Sequence, residues 1–205
     1  MNKEELIKSL EEKKFPQKII EAFSKVKRED FSPYQFRGKA YEDTALPIGK
    51  GQTISQPSTI AIMLSLLELK KGQKVLEIGS GSGYVLALIA EIIGETGKIF
   101  GLEIIPELIK KSKENLENYK NIKIYRKNGS NGLPEEGRFD RILVSAALRE
   151  IPEKLMAQLK HNGILVAPQG SRFEQELITI QRISENEFEM KKKIPGFIFV
   201  PFVNE

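Results

Sequence analysis

The stretch Val75-Leu76-Glu77-Ile78-Gly79-Ser80-Gly81-Ser82-Gly83 constrains this chain more than any other. An apolar run of strand type ends in three glycines at alternate positions, and a helical pattern follows over 84–93. Glycines there let the chain turn tightly after a strand and let a ligand approach the backbone. Strand, turn and helix in direct succession are the first half of a βαβ unit. The pattern repeats downstream: strands are predicted over 74–78, 98–103, 122–126, 141–145 and 163–167, and helices over 58–69, 106–119 and 152–159. This rhythm predicts an α/β fold with a mostly parallel, doubly wound sheet.

The two ends read differently. Residues 3–14 and 16–27 carry apolar positions at helical spacing and predict two short helices broken near Pro16. Residues 28–57 show no clear period but hold Phe31, Tyr34, Phe36, Tyr41, Leu46 and Ile48, which fits a packed lid. At the other end, 176–182 and 188–193 read as a hairpin and 196–203 as one more strand, an antiparallel closure of one sheet edge. A length of 205 residues suits a single domain. Its parts are N-terminal helices and lid (1–57), a ligand-binding core (58–170) and C-terminal strands (171–205).

Composition narrows the chemistry. With no cysteine and a single histidine, a thiolate nucleophile, a cysteine metal site and a histidine-based triad are all excluded or disfavoured. His161 reads as a helix-end residue with a glycine cap nearby. The net charge of +4 is spread as mixed signs, as in Lys110-Lys111-Ser112-Lys113-Glu114, so solvated faces are expected and no nucleic-acid partner. No apolar run reaches the roughly 20 residues that cross a bilayer. A charged N-terminus without a signal core makes the cytoplasm the expected location and a membrane partner unexpected.

Glu103 ends the strand after the glycine loop, about twenty residues on, where a carboxylate can hold the hydroxyls of a ribose. The glycine spacing is G-x-G-x-G, not the G-x-G-x-x-G of dinucleotide sites, and Glu77 stands just before it. A carboxylate there suits a sulfonium and an amino group better than a diphosphate, which favours S-adenosyl-L-methionine over a nicotinamide cofactor. Asn128-Gly129 follows the third strand, where the side-chain oxygen can accept from an adenine amine; a plain Asn-Gly turn is the competing reading.

Three segments resemble the protein-L-isoaspartate O-methyltransferase family, and the resemblance spans 26–203. They are 40–57 (AYEDTALPIG, then GQTISQP), the VLEIGSGSGY block at 75–84, and FDRILVSAA at 139–147 with IPEKLMAQL at 151–159. The resemblance implies a Rossmann-like class I methyltransferase fold with an N-terminal helical and lid extension. It implies methyl transfer from S-adenosyl-L-methionine, with S-adenosyl-L-homocysteine as product, to the free carboxylate of isoaspartyl residues in peptides and damaged proteins. It also implies a contact of Ser55 with the reacting carboxylate, cofactor contacts from Gln52, Thr53, Ile54, Ser55, Gly79, Ser80 and Gly81, and a ribose contact from Glu103. Glu77 and Gly83 belong to the same loop region, Asn128 and Gly129 to the adenine side, Gln175 to the vicinity of the centre, and Phe199, Val200 and Pro201 to a peptide-contacting strand. A monomer or weak oligomer is expected.

This chain departs from the family at Asn128 (usually Asp), at Leu148-Arg149 (often Ala-Pro) and at Ser58 (often aromatic or histidine). The competing functions are methylation of a dedicated peptide or another carboxylate, a nucleic-acid methyltransferase, and a non-catalytic cofactor- or peptide-binding homologue. For Ser55 the competing role is a helix cap; Glu42 and Asp43 read as lid anchors, and Arg149 as a candidate partner for an acceptor carboxylate.

Overall fold

A computed structural model describes residues 1–202 of the chain. Helix α1 (Lys3–Glu12) opens with a capping box in which Asn2 and Glu5 exchange backbone-to-side-chain hydrogen bonds of 2.9 Å. Pro16 then starts α2 (Gln17–Lys25), whose buried face is Ile19, Ile20, Ala22 and Phe23.

The lid has more regular structure than its sequence predicts. Two 3₁₀ turns, Arg28–Phe31 and Tyr34–Lys39, precede an antiparallel hairpin of β1 (Leu46–Gly49) and β2 (Gln52–Ile54). Lys50 and Gly51 form its two-residue turn, with φ of 55° and 72°. Two positive φ values in a row are what a turn matching the strand twist demands. The strands are too short, and Pro47 too disruptive, for an alternating pattern to show.

Helix α3 (Pro57–Leu67) leads into a seven-stranded sheet. Its strands are β3 (Lys74–Ile78), β4 (Lys98–Glu103), β5 (Ile122–Arg126), β6 (Phe139–Val144), β7 (Leu159–Gly170), β8 (Gln175–Arg182) and β9 (Phe188–Phe197). The order is β5-β4-β3-β6-β7-β8-β9, parallel from β5 to β7 and antiparallel from β7 to β9. Helices α4 (Tyr84–Ile93) and α5 (Pro106–Asn115) connect β3 to β4 and β4 to β5, while the short α6 (Glu153–Met156) precedes β7.

Alternation along the strands feeds two cores. Val75 and Leu143 join the cluster with Leu10, Phe23, Leu64 and Ile89, whereas Leu76, Ile78, Ile142 and Val144 join the one with Phe100, Phe139 and Leu155. Burial on both faces is why these strands read as near-continuous apolar runs. The chain reverses direction across the sheet between β3 and β6, so the crevice at their carboxyl ends is the topological switch point, where such sheets bind ligands.

Several expectations need correction. The helix expected over 152–159 is only Glu153–Met156, because β7 begins at Leu159 to pair with Phe139. His161 therefore sits exposed in a strand and ends no helix. In the tail β9 runs on to Phe197, and the strand expected over 196–203 does not form. Past Phe197 the chain leaves the sheet, and only an isolated bridge from Pro201 to Ala147 continues it. Val203, the end of that expected strand, lies outside the described residues.

Candidate active site

The switch-point crevice forms a cleft open to solvent. Gly79 and Gly81 form its floor, with Ile78, Leu102, Glu103, Ile104 and Ile105 on one side and Gln52, Thr53 and Ile48 of the lid hairpin on the other. Lys127 and Gly129 close one end; Ser145, Ala146, Val200, Pro201 and Phe202 close the rest. Two further hollows adjoin it. One runs under the glycine loop between Glu77, Ser80, Ser82 and the lid residues Thr53, Ile54 and Ser55. The other, a groove, lies between Ala45, Gln56, Thr59 and Ile62 and the outgoing segment Gly196 to Val200.

Glu77 and Ser80 place unsatisfied polar groups in this region. Glu77 is 1% exposed; its Oε1 accepts from the Ser145 hydroxyl at 2.7 Å, and its Oε2 has no partner. Burial pushes this carboxyl up to about 8, the Ser145 hydrogen bond opposing and nearby Glu103 adding. The Ser80 hydroxyl is also buried and unpartnered. An orphaned buried carboxylate oxygen is costly unless a ligand completes it.

Glu103 is more committed than its sequence position implies. Its Oε2 accepts from Gly81 N–H at 2.9 Å, and its Oε1 from Ile104 and Ile105 N–H at 2.7 and 3.0 Å. A carboxylate offers about four acceptor sites, so one remains for a ribose hydroxyl while the Gly81 bond stands. Gly81, at φ 53°, also has no room to spare: a Cβ there would lie 3.1 Å from Ile48 Cδ1 of the lid.

Most of the expected site residues converge here, but three do not. Gly83 (φ 85°) caps α4, where a Cβ would meet Leu116 Cδ1 at 2.6 Å. Its role is close packing of the α4 start on the end of α5. Asn128 is absent from the cleft lining; its side-chain oxygen accepts from Ser130 N–H at 2.9 Å and caps a 3₁₀ turn, the plain-turn alternative. Gln175 is buried behind the C-terminal segment, where its amide accepts from Phe199 N–H at 2.6 Å and donates to Phe199 C=O at 3.3 Å. Ala147 grips the same segment, donating to Val200 C=O at 2.8 Å and accepting from Phe202 N–H at 2.9 Å. The tail thus becomes a wall: Phe199 and Val200 line the groove, while Val200 and Pro201 line the cleft.

The lid is held by two polar anchors. Arg28, 0% exposed, donates to the carbonyls of Ala40 (2.8 Å), Glu42 (3.2 Å), Thr44 (3.0 Å) and Ser55 (3.0 Å). Asp43 accepts from Ser58 N–H at 2.8 Å in the first turn of α3 and pairs with Lys13 at 3.0 Å, as expected of a lid anchor. Asp43 therefore supplies the α3 cap, and Ser55 does not. Arg149 is not in the groove but in a separate basin beside Ser171 and Arg172. Sequence reasoning missed Arg28 and Ser145. Ser145 had one usable signal, its place just past the strand that flanks β3.

The parallel sheet, its antiparallel edge, the glycine loop and the acid closing the next strand define a Rossmann-like methyltransferase. The sequence matches the family Protein-L-isoaspartate(D-aspartate) O-methyltransferase over residues 1–205, and the chain belongs to that family. It is 42% identical to the protein-L-isoaspartate O-methyltransferase of Methanothrix thermoacetophila, covering 100% of this chain and 96% of that one. A solved protein-L-isoaspartate O-methyltransferase superposes with a TM-score of 0.89 at 27% identity, over 99% of this chain and 66% of that one. A Plasmodium falciparum structure, described as a β-aspartate methyltransferase of this family in complex with S-adenosyl-L-homocysteine, gives 0.82 at 28% identity over 99% of both chains.

Proposed function

We propose that this protein transfers the methyl group of S-adenosyl-L-methionine to the free carboxylate of L-isoaspartyl residues in peptides and damaged proteins, a repair reaction. One observation carries the reading: the hollow under the glycine loop and the groove beside it share a wall of Thr53, Ser55 and Ser145. A donor on one side of that wall meets an acceptor on the other. The relatives' names supply the acceptor class.

The residues present fit this cofactor. Glu77 Oε2, buried and unpartnered, would take its ammonium; Gly79, Ser80 and Gly81 would hold its amino-acid end, and Glu103 a ribose hydroxyl. Lys127, Gly129, Ile104 and Ile105 would surround the base, with Gln52, Thr53 and Ile54 covering it from the lid. When bound, the cofactor supplies an activated methyl and leaves as S-adenosyl-L-homocysteine. The acceptor needs no base, since a carboxylate with a pKa of about 4 is already anionic at neutral pH. What the chain contributes is alignment and exclusion of water, and alignment alone can supply on the order of 7–11 kcal/mol. Ser55 orients the acceptor, and Phe199, Val200 and Pro201 contact the peptide.

In this reading the chain works as one unit, 1–57 as helices and lid, 58–170 as core and 171–205 as closing strands, in the cytoplasm and as a monomer or weak oligomer. No helix among the described residues is long and apolar enough to cross a membrane. The test is a labelled-cofactor assay on paired aspartyl and isoaspartyl peptides. Methyl ester is expected on the isoaspartyl isomer alone; equal labelling of both, or of neither, overturns the reading.

A further inference from the structure

Thr53, Ser55 and Ser145 are the residues shared by the acceptor groove and the hollow under the glycine loop, and all three are hydroxyl residues. Thr53 and Ser145 also line the main cleft. The three side chains shared where donor and acceptor meet are therefore hydroxyl donors, and none of them is charged. That composition suits a carboxylate nucleophile. An ammonium or guanidinium would form a full ion pair with it and would draw off the electron density that must attack. Neutral hydroxyls hold it and quench it less.

A carboxylate in attack has a second oxygen that also needs a donor once water is excluded. Ser55 reaches the junction from the lid and Ser145 from the end of β6, on the core side. We propose that Ser145 is a second acceptor-binding hydroxyl, gripping the isoaspartyl carboxylate from the core while Ser55 grips it from the lid. The proposal rests on the methyl-transfer reading above.

A hydroxyl has one proton to give, and in this structure Ser145 gives it to Glu77 Oε1 at 2.7 Å. Among the described residues Glu77 Oε2 has no hydrogen-bond partner. A cationic amine carries three N–H donors and can serve Oε1 as well as Oε2 of Glu77; Ser145 is then no longer the sole donor to Oε1, and its hydroxyl is free to turn into the groove. No covalent bond forms or breaks in this step. The consequence is linkage: the cofactor side being filled should tighten binding on the acceptor side, through Ser145.

The experiment measures calorimetric affinity of an isoaspartyl peptide with and without saturating S-adenosyl-L-homocysteine, in the native protein and in Ser145→Ala, Ser145→Thr and Ser55→Ala. The cofactor product should tighten peptide binding by at least about fivefold in the native protein, the lower end of ordinary coupling. Ser145→Ala should lose that gain while keeping its affinity for the product within about threefold, and Ser145→Thr should restore it. A gain that persists in Ser145→Ala, or a product affinity that falls as far as the peptide affinity does, overturns the proposal. Should Ser145→Ala fail to fold, the absence of the gain in Ser145→Thr, which keeps the hydroxyl, also overturns it. A native protein that labels neither isomer instead overturns the methyl-transfer reading, so the two failures are distinct.

Discussion

Residues 28–57 and the strands β3, β4 and β6 face each other across one cleft, yet they are held in place by opposite means. The strands bury Val75, Leu76, Ile78, Ile142, Leu143 and Val144 on two faces, and their backbone groups pair with neighbouring strands. The lid has only a short hairpin and two 3₁₀ turns, so many of its carbonyls have no ladder to join. One buried guanidinium collects four of them, from Ala40 to Ser55, and one carboxylate ties residue 43 to the start of α3. Buried backbone groups must be paired one way or another. Where regular structure cannot do it, a polar side chain must, and that side chain becomes as consequential as any core residue.

The contrast can be broken first at its polar end. Arg28→Met leaves four carbonyls without their donor; at about 1 kcal/mol or more each, it should remove at least about 4 kcal/mol and lower Tm by about 8–16 °C. Turnover should vanish, because the Ser55 carbonyl is one of the four. A thermal melt with a parallel activity assay checks both, and near-native values would show that the lid does not depend on Arg28. Ile142→Ala tests the apolar end. It should cost about 3 kcal/mol, within the range for such truncations, while kcat at 25 °C stays within about twofold in the folded protein.

Ser55→Ala separates orientation from architecture. The α3 cap is Asp43, so Tm should hold while kcat/KM on isoaspartyl peptide falls about 100-fold, as small misplacements of a reacting group can produce. Lowered Tm with unchanged turnover would return Ser55 to a capping role. The remaining effect is electrostatic and appears as a slope across pH. Burial raises Glu77 from 4.5 to about 8, so without cofactor the folded state holds this proton more tightly than the unfolded state. Its contribution to stability is full below pH 4.5 and declines as pH rises through about 8, where both states are ionised. Glu77→Gln should flatten that decline in denaturant titrations across the range. An unchanged profile would mean that Glu77 is ionised throughout.

Repetition made the sheet legible. Strands 74–78, 98–103 and 122–126 and the helix 84–93 were readable because each is a local pattern bounded by its own glycines or prolines, and they form with those bounds. Boundaries failed where pairing partners decided them: β7 starts early to meet Phe139, and β9 runs on beside Gln175. In the site, the glycine loop, Glu77, Glu103 and the lid segment 52–55 could be named from spacing or resemblance, and they do meet. Gly83, Asn128 and Gln175 could be named too, but their work is packing, capping and clamping.

What the chain carries in its own order is therefore the βαβ alternation, the glycine turn with its flanking acids, and the apolar character of strands buried on both sides, since each depends on residues a few places apart. The fold alone decided that Arg28 would meet carbonyls up to Ser55, that Asp43 would cap α3, and that Ser145 would stand where three hollows join. Those are contacts between distant residues, created by the order of strands and the closing of the lid, and no local period encodes them.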